Sequence, residues 1–540
     1  MANEVFVNRL RNLAFYSEVL GENPFKARAL IKAAEILQEK DELEALVTSG
    51  EIKNIPGIGK GTQALVQEFL ESGSCKEWDE VAAKFPKHFL ELRQVRGLGA
   101  KKIKALWEKL QIGSLAELEY ACGENRLVDL NGFGEKTQAS ILAQIEKLKA
   151  YRGKMILPAA LEAATQWESE LSNLEGVVQV SVTGELRRKM PVVASLDFLL
   201  IVASQEKLKK SLKKMGFNSI EESQWQKRSE DSCPVNIFLA HEKNFGSELW
   251  RTTGPDAYVR AQSKIAEAKS EDQVFFQLKL TPISPECRDH SVAKATLVEE
   301  KDICGVFHLH TTWSDGRNSL EEMAQRAVEK GYEYLGVSEH SQSAFYANGL
   351  DKKRILEQKK EIEIIQKKFP SLKIFQGIES DILADGSLDY PKDVLQEFDF
   401  VIASVHGGMK MPKQEMTDRL CRALENPSTT WLGHWTGRLL LGREGYEFDQ
   451  EKVMKAAAQA GKGIELNSSP YRLDMDWTLL PKATALGIKI GIFPDAHSVA
   501  GLDDTKYGIW MARKAGLEKK DVINTLPLKE MEKWLQQSRA

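Results

Sequence analysis

Two rhythms of apolar and polar positions divide the chain. Up to about residue 150, apolar residues recur at helical spacing, through Phe6 to Leu20, Ala27 to Leu37 and Leu43 to Val47. Beyond residue 300, short apolar runs alternate with longer amphipathic stretches such as Ser319 to Gly331 and Lys353 to Phe369. The runs are Gly305 to His310, Tyr334 to His340, Ile374 to Glu379, Phe400 to His406, Trp431 to His434 and Ile488 to His497, and each ends in a histidine or a carboxylate. Strand, polar loop and helix in repetition predict a β/α barrel with its chemistry at the C-terminal ends of the strands. In the middle region, Val177 to Val182 and Ser195 to Val202 predict two more strands.

Composition narrows this picture. A chain of 540 residues with net charge −4 and 42% hydrophobic residues is an ordinary globular protein of several domains. No apolar run is long enough for a membrane span, and Met1-Ala2-Asn3-Glu4 lacks the basic-then-apolar pattern of a leader. Six scattered Cys without a Cys-x-x-Cys pair fit a reducing compartment and argue against a disulfide framework or a structural zinc knuckle. We therefore expect a cytoplasmic, monomeric protein without membrane contact. The near-neutral charge provides no basic field, so nucleic acid would be held by local patches and backbone amides.

Candidates for such contacts lie in the helical part. Ile55-Pro56-Gly57-Ile58-Gly59, Val95-Arg96-Gly97-Leu98-Gly99 and Leu130-Asn131-Gly132-Phe133-Gly134 repeat one pattern, and each precedes a helix. Glycines let the backbone approach a phosphate, and the N–H groups that open a helix can donate to it. Three copies of this helix-hairpin-helix turn, with Lys101, Lys102 and Lys136 beside them, predict contact with the DNA backbone rather than with bases.

The barrel half carries the chemistry. His308 and His310 are two apart, so in a strand both imidazoles point to one face. Asp315 follows in a Ser-Asp-Gly turn. Of nine His in the chain, six lie between residues 308 and 497, and all six sit at run ends, which chance scatter would not produce. Mixed imidazole and carboxylate donors suit Mn²⁺, Zn²⁺ or Fe²⁺ better than Ca²⁺ or Mg²⁺. Such a centre predicts metal-assisted hydrolysis of a phosphoester. Arg438 and Arg443 follow the His434 loop and are candidates to clamp the phosphate, and Trp435 is a candidate to stack on a base or to pack.

The set His308, His310, Asp315, His340, Glu379, His406, His434, Asp495 and His497 resembles the ligand set of the polymerase and histidinol phosphatase (PHP) domain. More narrowly, the chain resembles bacterial family X DNA polymerases. The resemblance implies three divalent ions, with a lean to Mn²⁺. His308, His310, Glu379 and Asp495 would hold one, Glu379 with His406 and His434 a second, and Asp315, His340 and His497 the third. Val306 stands where the family usually has Asp.

The resemblance weakens in the middle. Thr183-Gly184-Glu185-Leu186-Arg187-Arg188 is similar to the family's Gly-Ser-x-Arg-Arg signature, with Glu185 in place of the triphosphate-binding Ser. Ser195-Leu196-Asp197 stands for Asp-x-Asp, and Asn236 stands for the third Asp. Two-metal phosphoryl transfer needs anionic oxygens that this palm lacks. Asp197 then reads as a solvated carboxylate at a strand end. In the N-terminal domain, the family's Schiff-base lysine position holds Leu65, so lyase chemistry is not expected.

The fold expected is thus multi-domain. A helical N-terminal domain spans 1–90, a fingers-like helix-hairpin-helix domain 91–150, and a degenerate α+β palm 151–239. A thumb follows at 240–288, a linker at 289–302, and a distorted (β/α)7 PHP barrel at 303–540. The function expected is DNA repair by a metal-dependent 3′-5′ exonuclease or 3′-end phosphoesterase, acting on gapped, nicked or 3′-ended duplex. Its polymerase part would be inactive and serve to bind DNA. The alternatives are a gap-filling polymerase with altered metal ligands, a non-catalytic DNA-end binder and a small-molecule phosphomonoesterase.

Overall fold

The computed structural model describes residues 2–539 except 39–42, 87, 124–126, 128–129, 152, 230–231, 263–264 and 291–295. Part of the expected 289–302 linker therefore lies outside the described residues. The chain forms two compact units, Met1–Arg152 and Gly153–Ala540. Among the described residues no helix is long and apolar enough to cross a membrane.

The first unit is helical. α1 (Ala2–Leu20) and α2 (Pro24–Gln38) pack together over Phe6, Leu10, Leu13, Leu30 and Leu37. One core continues from Phe6 to Ile145, so the regions 1–90 and 91–150 share it. Ring contacts cross that boundary, with Trp107 edge-on to Phe89 at 5.6 Å and tilted against Phe85 at 6.5 Å. The three glycine turns open α3 (Lys60–Ser72), α4 (Ala100–Leu110) and α5 (Glu135–Tyr151). In each, the first glycine has positive φ: Gly57 93°, Gly97 85° and Gly132 87°. Side chains rarely adopt that backbone, which is why the pattern demands glycine there.

The second unit begins with a five-stranded sheet. Its strands are β1 (Val177–Thr183), β2 (Leu196–Val202), β3 (Asn218–Glu221), β4 (Gln224–Ser229) and β5 (Ser232–Ala240), in the order β1-β2-β5-β4-β3. A short helix, α6 (Gly184–Arg187), follows β1, and α7 (Glu271–Leu278) lies further on. β2 and β5 pair in parallel with Asp197 beside Asn236.

Seven parallel strands then form a nearly closed barrel: β6 (Gly305–Val306), β7 (Tyr334–His340), β8 (Lys373–Asp381), β9 (Phe400–Ser404), β10 (Trp431–Leu432), β11 (Gly463–Asn467) and β12 (Ile490–Phe493). Their order in the sheet follows the sequence. The sequence pattern had not marked β11. Helices α8 (Leu320–Glu329) and α9 (Lys352–Lys368) cover the outside. Ser319 and Glu322 form a capping box on α8, and the Asp351 side chain caps α9. Inside, Phe307, Phe375, Phe400, Trp431 and Phe493 fill the barrel with rings, and Gly336 is needed because a Cβ there would lie 2.1 Å from Phe307. The expectation of a continuous strand from Gly305 to His310 is corrected. β6 ends at Val306, and His308 takes a left-handed backbone with φ 59°. The chain then pairs with the segment after β12 instead: Ala496 N donates to His308 O at 3.2 Å and His310 N to Ala496 O at 2.8 Å. This seam joins the first and last strands at the chemical end of the barrel.

A helix after the barrel, α10 (Thr505–Lys514), packs back toward the palm. Lys514 is fully buried, and its Nζ meets the Asp289 carboxylate, Arg188 O and Glu286 O. Arg513 pairs with Glu286 at 2.9 Å. Palm and barrel residues belong to one continuous apolar cluster, from Leu157 to Val522.

Candidate metal centre

All nine candidate ligands meet at the C-terminal mouth of the barrel strands. Glu379, at the end of β8, is the hub. Its Oε1 lies 3.2 Å from His308 Nε2, 3.2 Å from His406 Nε2 and 3.1 Å from His434 Nε2, and its Oε2 lies 2.9 Å from His340 Nδ1. Asp495 Oδ1 lies 3.4 Å from His308 Nε2 and 3.3 Å from His310 Nε2. Asp315 reaches His340 Nε2 at 3.5 Å and His497 Nε2 at 3.4 Å. A cavity of ≈330 Å³ opens over this cluster, with Met409, Arg443 and Arg472 completing its wall. His308 and His310 lie beneath it, fully buried.

The donors fit divalent ions. His308 Nε2 and His310 Nε2 are buried without a hydrogen-bond partner although they face carboxylates, the arrangement expected of donors shaped for a cation rather than for each other. Three sets bring one donor per residue within 4.8 Å: His308, His310 and Asp495; His340, Glu379 and His406; and His310, Asp315, His340 and His497. The sets differ from the expected grouping in that Glu379 falls with His340 and His406 rather than with His308, His310 and Asp495, His310 also reaches the third set, and His434 is in none of the three. His434 joins through its Nε2, 3.1 Å from His406 Nε2.

An outer ring of carboxylates aims the imidazoles. Glu465, on β11, accepts from His308 Nδ1 at 2.5 Å and from the His434 backbone N–H at 2.5 Å. Asp381 bonds His406 Nδ1. With Nδ1 engaged outward, Nε2 of both rings faces Glu379, which fixes tautomer and orientation. Burial opposes charge on Glu379, yet the imidazoles of His406, His308 and His340 hold its carboxyl well below the usual range. Burial likewise opposes the proton on His308, but Glu465, Asp495 and Glu379 raise it well above the ordinary value. His310 is pushed down to about 3 by burial and by its cationic neighbours His340 and His497. Glu339 is raised to about 6 by burial and accepts from Thr311 and Ser314, fixing the loop that delivers Asp315. Glu465, Asp381 and Glu339 were not singled out from the sequence.

The arginines divide. Arg438 pairs with Asp476 at 2.7 Å and donates to the carbonyls of Arg472 and Leu473, so it braces a loop and does not line the cavity. Its expected clamp role is corrected accordingly. Arg443 lines the cavity and donates to Gly437 O. Arg472, overlooked in the sequence, lines it too, with Nε 3.5 Å from Asp495 Oδ2 and a buried Nη1 without a hydrogen-bond partner. Trp435 is fully buried, edge-on to Phe448 at 5.0 Å, so it packs and stacks on no ligand.

The palm presents no matching cluster among its described residues. Asp197 Oδ1 accepts from Asn236 Nδ2 at 2.7 Å and from Ser195 Oγ at 2.8 Å, and Gln226 donates to Asn236 Oδ1 at 2.7 Å. The reading of Asp197 as a solvated carboxylate is therefore corrected: burial raises its pKa, and Asn236 and Ser195 oppose that rise. Its other oxygen lies against Gly184, where a Cβ would come within 2.0 Å, and Gly184 has φ +64°. Glu185 accepts from Ala194 N at 2.7 Å. Arg187 pairs with Glu271, and Arg188 with Asp289, so both signature arginines face protein partners. Leu65 is buried in the first unit's core.

In that unit, nothing lies within 4 Å of a Cβ placed on Gly59, Gly97, Gly99, Gly132 or Gly134. Lys101 and Lys136 are exposed beside them, and Lys102 Nζ lies 5.5 Å from the Phe133 ring. Gly57 differs, because a Cβ there would meet Ile36 at 2.6 Å.

A nearly closed parallel barrel whose mouth gathers histidines and carboxylates defines a metal-dependent hydrolase domain of the PHP class. Residues 307–469 match the PHP domain, residues 1–75 a helix-hairpin-helix domain, and residues 89–147 a SAM-like helix-hairpin-helix tandem. The chain is 32% identical over 571 aligned positions to the DNA polymerase/3′-5′ exonuclease PolX of Bacillus subtilis, covering 100% of both chains. A probable phosphatase of Thermoanaerobacter sp. strain X514 is 26% identical over 236 residues, covering 40% of this chain and 89% of that one. A probable phosphatase of Caldanaerobacter subterraneus is 25% identical over 249 residues, covering 43% and 91%. The chain belongs to the bacterial PolX family.

Proposed function

We propose that this PolX protein is a DNA 3′-end-processing phosphoesterase, a 3′-5′ exonuclease whose palm binds DNA without synthesising it. The observation that carries the reading is a contrast. Eight donors cluster at the barrel mouth with His434 against Glu379 as a ninth, whereas the palm's Asp197 carboxylate is bonded by Asn236 and Ser195. Ions of this kind supply Lewis acidity and a nucleophile drawn from water at neutral pH. His308, His310, Glu379 and Asp495 would hold one, Glu379 with His406 and His434 a second, and Asp315, His340 and His497 a third, with Mn²⁺ the first choice and Zn²⁺ or Fe²⁺ the alternatives. Arg472 and Arg443 receive the non-bridging phosphate oxygens from the cavity wall. The turns at Gly57, Gly97 and Gly132 hold the duplex by its phosphates. Cytoplasmic repair of gapped or nicked DNA by a monomer is the setting this reading implies.

The test uses 5′-labelled gapped DNA with Mn²⁺, with and without dNTPs. The wild type shortens the strand and does not extend it. His308→Ala/His310→Ala abolishes shortening, and His497→Ala, at the exposed edge of the site, weakens it in a folded protein. Extension on adding dNTPs would overturn the reading of the palm. A wild type that neither shortens nor extends the strand would overturn the exonuclease reading.

A further inference from the structure

The cavity at the metal centre is lined for phosphate and ions rather than for a base. Its ≈330 Å³ lies at the low end of ligand pockets, which run from about 300 to 1,000 Å³. Its wall is almost entirely ligands and arginine, with Met409 the sole apolar contributor, so no surface within it suits a base. A phosphate entering the site must leave its nucleoside outside, at the rim. Phe307 and Trp435, the aromatics next to ligands in sequence, are buried and cannot meet it.

Tyr471 is placed to do so. It precedes Arg472, which lines the cavity, and its backbone carbonyl accepts from Leu440 N at 2.7 Å. It is thereby fixed between Arg472 and the hairpin of Leu439 to Arg443 that carries the second cavity arginine. Its side chain is nonetheless 62% exposed, although an aromatic ring of this size normally finds cover. An exposed ring on a tethered backbone, next to two arginines that line the cavity, has the form of a stacking platform, since every base has a π-face and stacking tolerates any sequence.

We propose that Tyr471 stacks on the terminal base of the nucleic-acid strand whose phosphate enters the metal centre, and so selects nucleotides over simple phosphate esters. This rests on the phosphoesterase reading above. Tyr471 here is a specificity-determining residue, and its loss leaves the metal ligands in place.

The experiment measures release of the first residue from two single-stranded oligonucleotides with Mn²⁺, one ending in a normal 3′ nucleotide and one in a 3′ abasic residue. The full-length wild type, Tyr471→Ala and Tyr471→Phe are compared. Tyr471→Ala should lower kcat/KM on the base-ended strand by about 5- to 150-fold, the range set by stacking one base. It should leave the abasic strand unchanged, and Tyr471→Phe should keep most of the wild-type preference. Equal losses on both strands would make Tyr471 merely structural and overturn the proposal. No loss on either strand would overturn it as well. If the wild type cleaves neither strand, the phosphoesterase reading itself falls, and this proposal with it.

Discussion

Asn236→Asp rebuilds one of the missing palm carboxylates and turns a hydrogen bond into a contact between like charges. Asn236 Nδ2 lies 2.7 Å from Asp197 Oδ1, so the substitution places two carboxylate oxygens at that separation. Two unit charges 4 Å apart repel by about 4 kcal/mol at an effective dielectric of 20, and a closer pair repels more. The pair escapes by sharing one proton, as paired carboxylates do. Keeping a proton at pH 7 on a group of ordinary pKa near 3.9 costs about 1.36 kcal/mol per pH unit, which caps the penalty at roughly 4 kcal/mol. The folded pKa of the pair is raised above its unfolded value. The variant therefore matches the wild type below about pH 4 and loses stability as the pH rises through that folded value. Denaturant unfolding from pH 4 to pH 8, with and without Mg²⁺, measures this. A divalent ion that the paired carboxylates can hold should restore part of the loss in the variant and leave the wild type unmoved. Equal stability at pH 7, or an equal loss at pH 4 and pH 7, would refute the account of Asp197 and Asn236 as one hydrogen-bonded unit.

Three further outcomes are expected. Glu465→Gln removes the charge behind His308 and should cost about 10- to 100-fold in metal affinity, read by metal titration, with the fold retained; unchanged affinity would show that Glu465 does not orient the ligand. Asp289→Asn leaves the buried Lys514 without a counter-charge and should destabilise by about 3–5 kcal/mol. Lys514→Met leaves Asp289 its Arg188 partner and should cost less in the same unfolding assay, so the reverse ranking would count against the joint as described. Asp504, raised to about 6 by burial and by Asp503 against the pull of Lys506, costs stability as the pH climbs from about 4 through 6. Asp504→Asn should therefore raise the melting temperature at pH 8 and leave it unchanged at pH 4; a shift at both would assign the effect to something other than charge.

The sequence made the barrel's ligands readable because histidine is scarce in this chain and falls at strand ends, where barrel chemistry gathers. It was less informative wherever a residue's role depends on a neighbour distant in the chain. Glu465 sits inside Gly463–Asn467, a buried strand of five residues without a histidine to draw notice, and its partner His308 is 157 residues away. Arg438 and Arg472 have the same chemistry on paper, and only the loop that ties Arg438 to Asp476 separates their tasks. Trp435 follows a ligand, yet nothing local told that its ring turns inward onto Phe448. The break at His308 was hidden for a related reason: an alternating apolar run says strand, but not which neighbour the strand will pair with beyond Val306.

The joint between palm and barrel divides one motif by the partners that its residues meet. Glu185, Ser195 and Asn236 meet partners within the palm itself, Glu185 the Ala194 N–H and the other two the Asp197 carboxylate. Arg187 and Arg188 stand in the same motif but answer to Glu271, Asp289 and, through Asp289, Lys514 of α10. Through Asp289 the motif is thereby tied to the barrel half. A saturation library scored for soluble protein should reject changes at Arg187 and Arg188 more strongly than changes at Glu185, so that the boundary between the two tasks runs through adjoining residues.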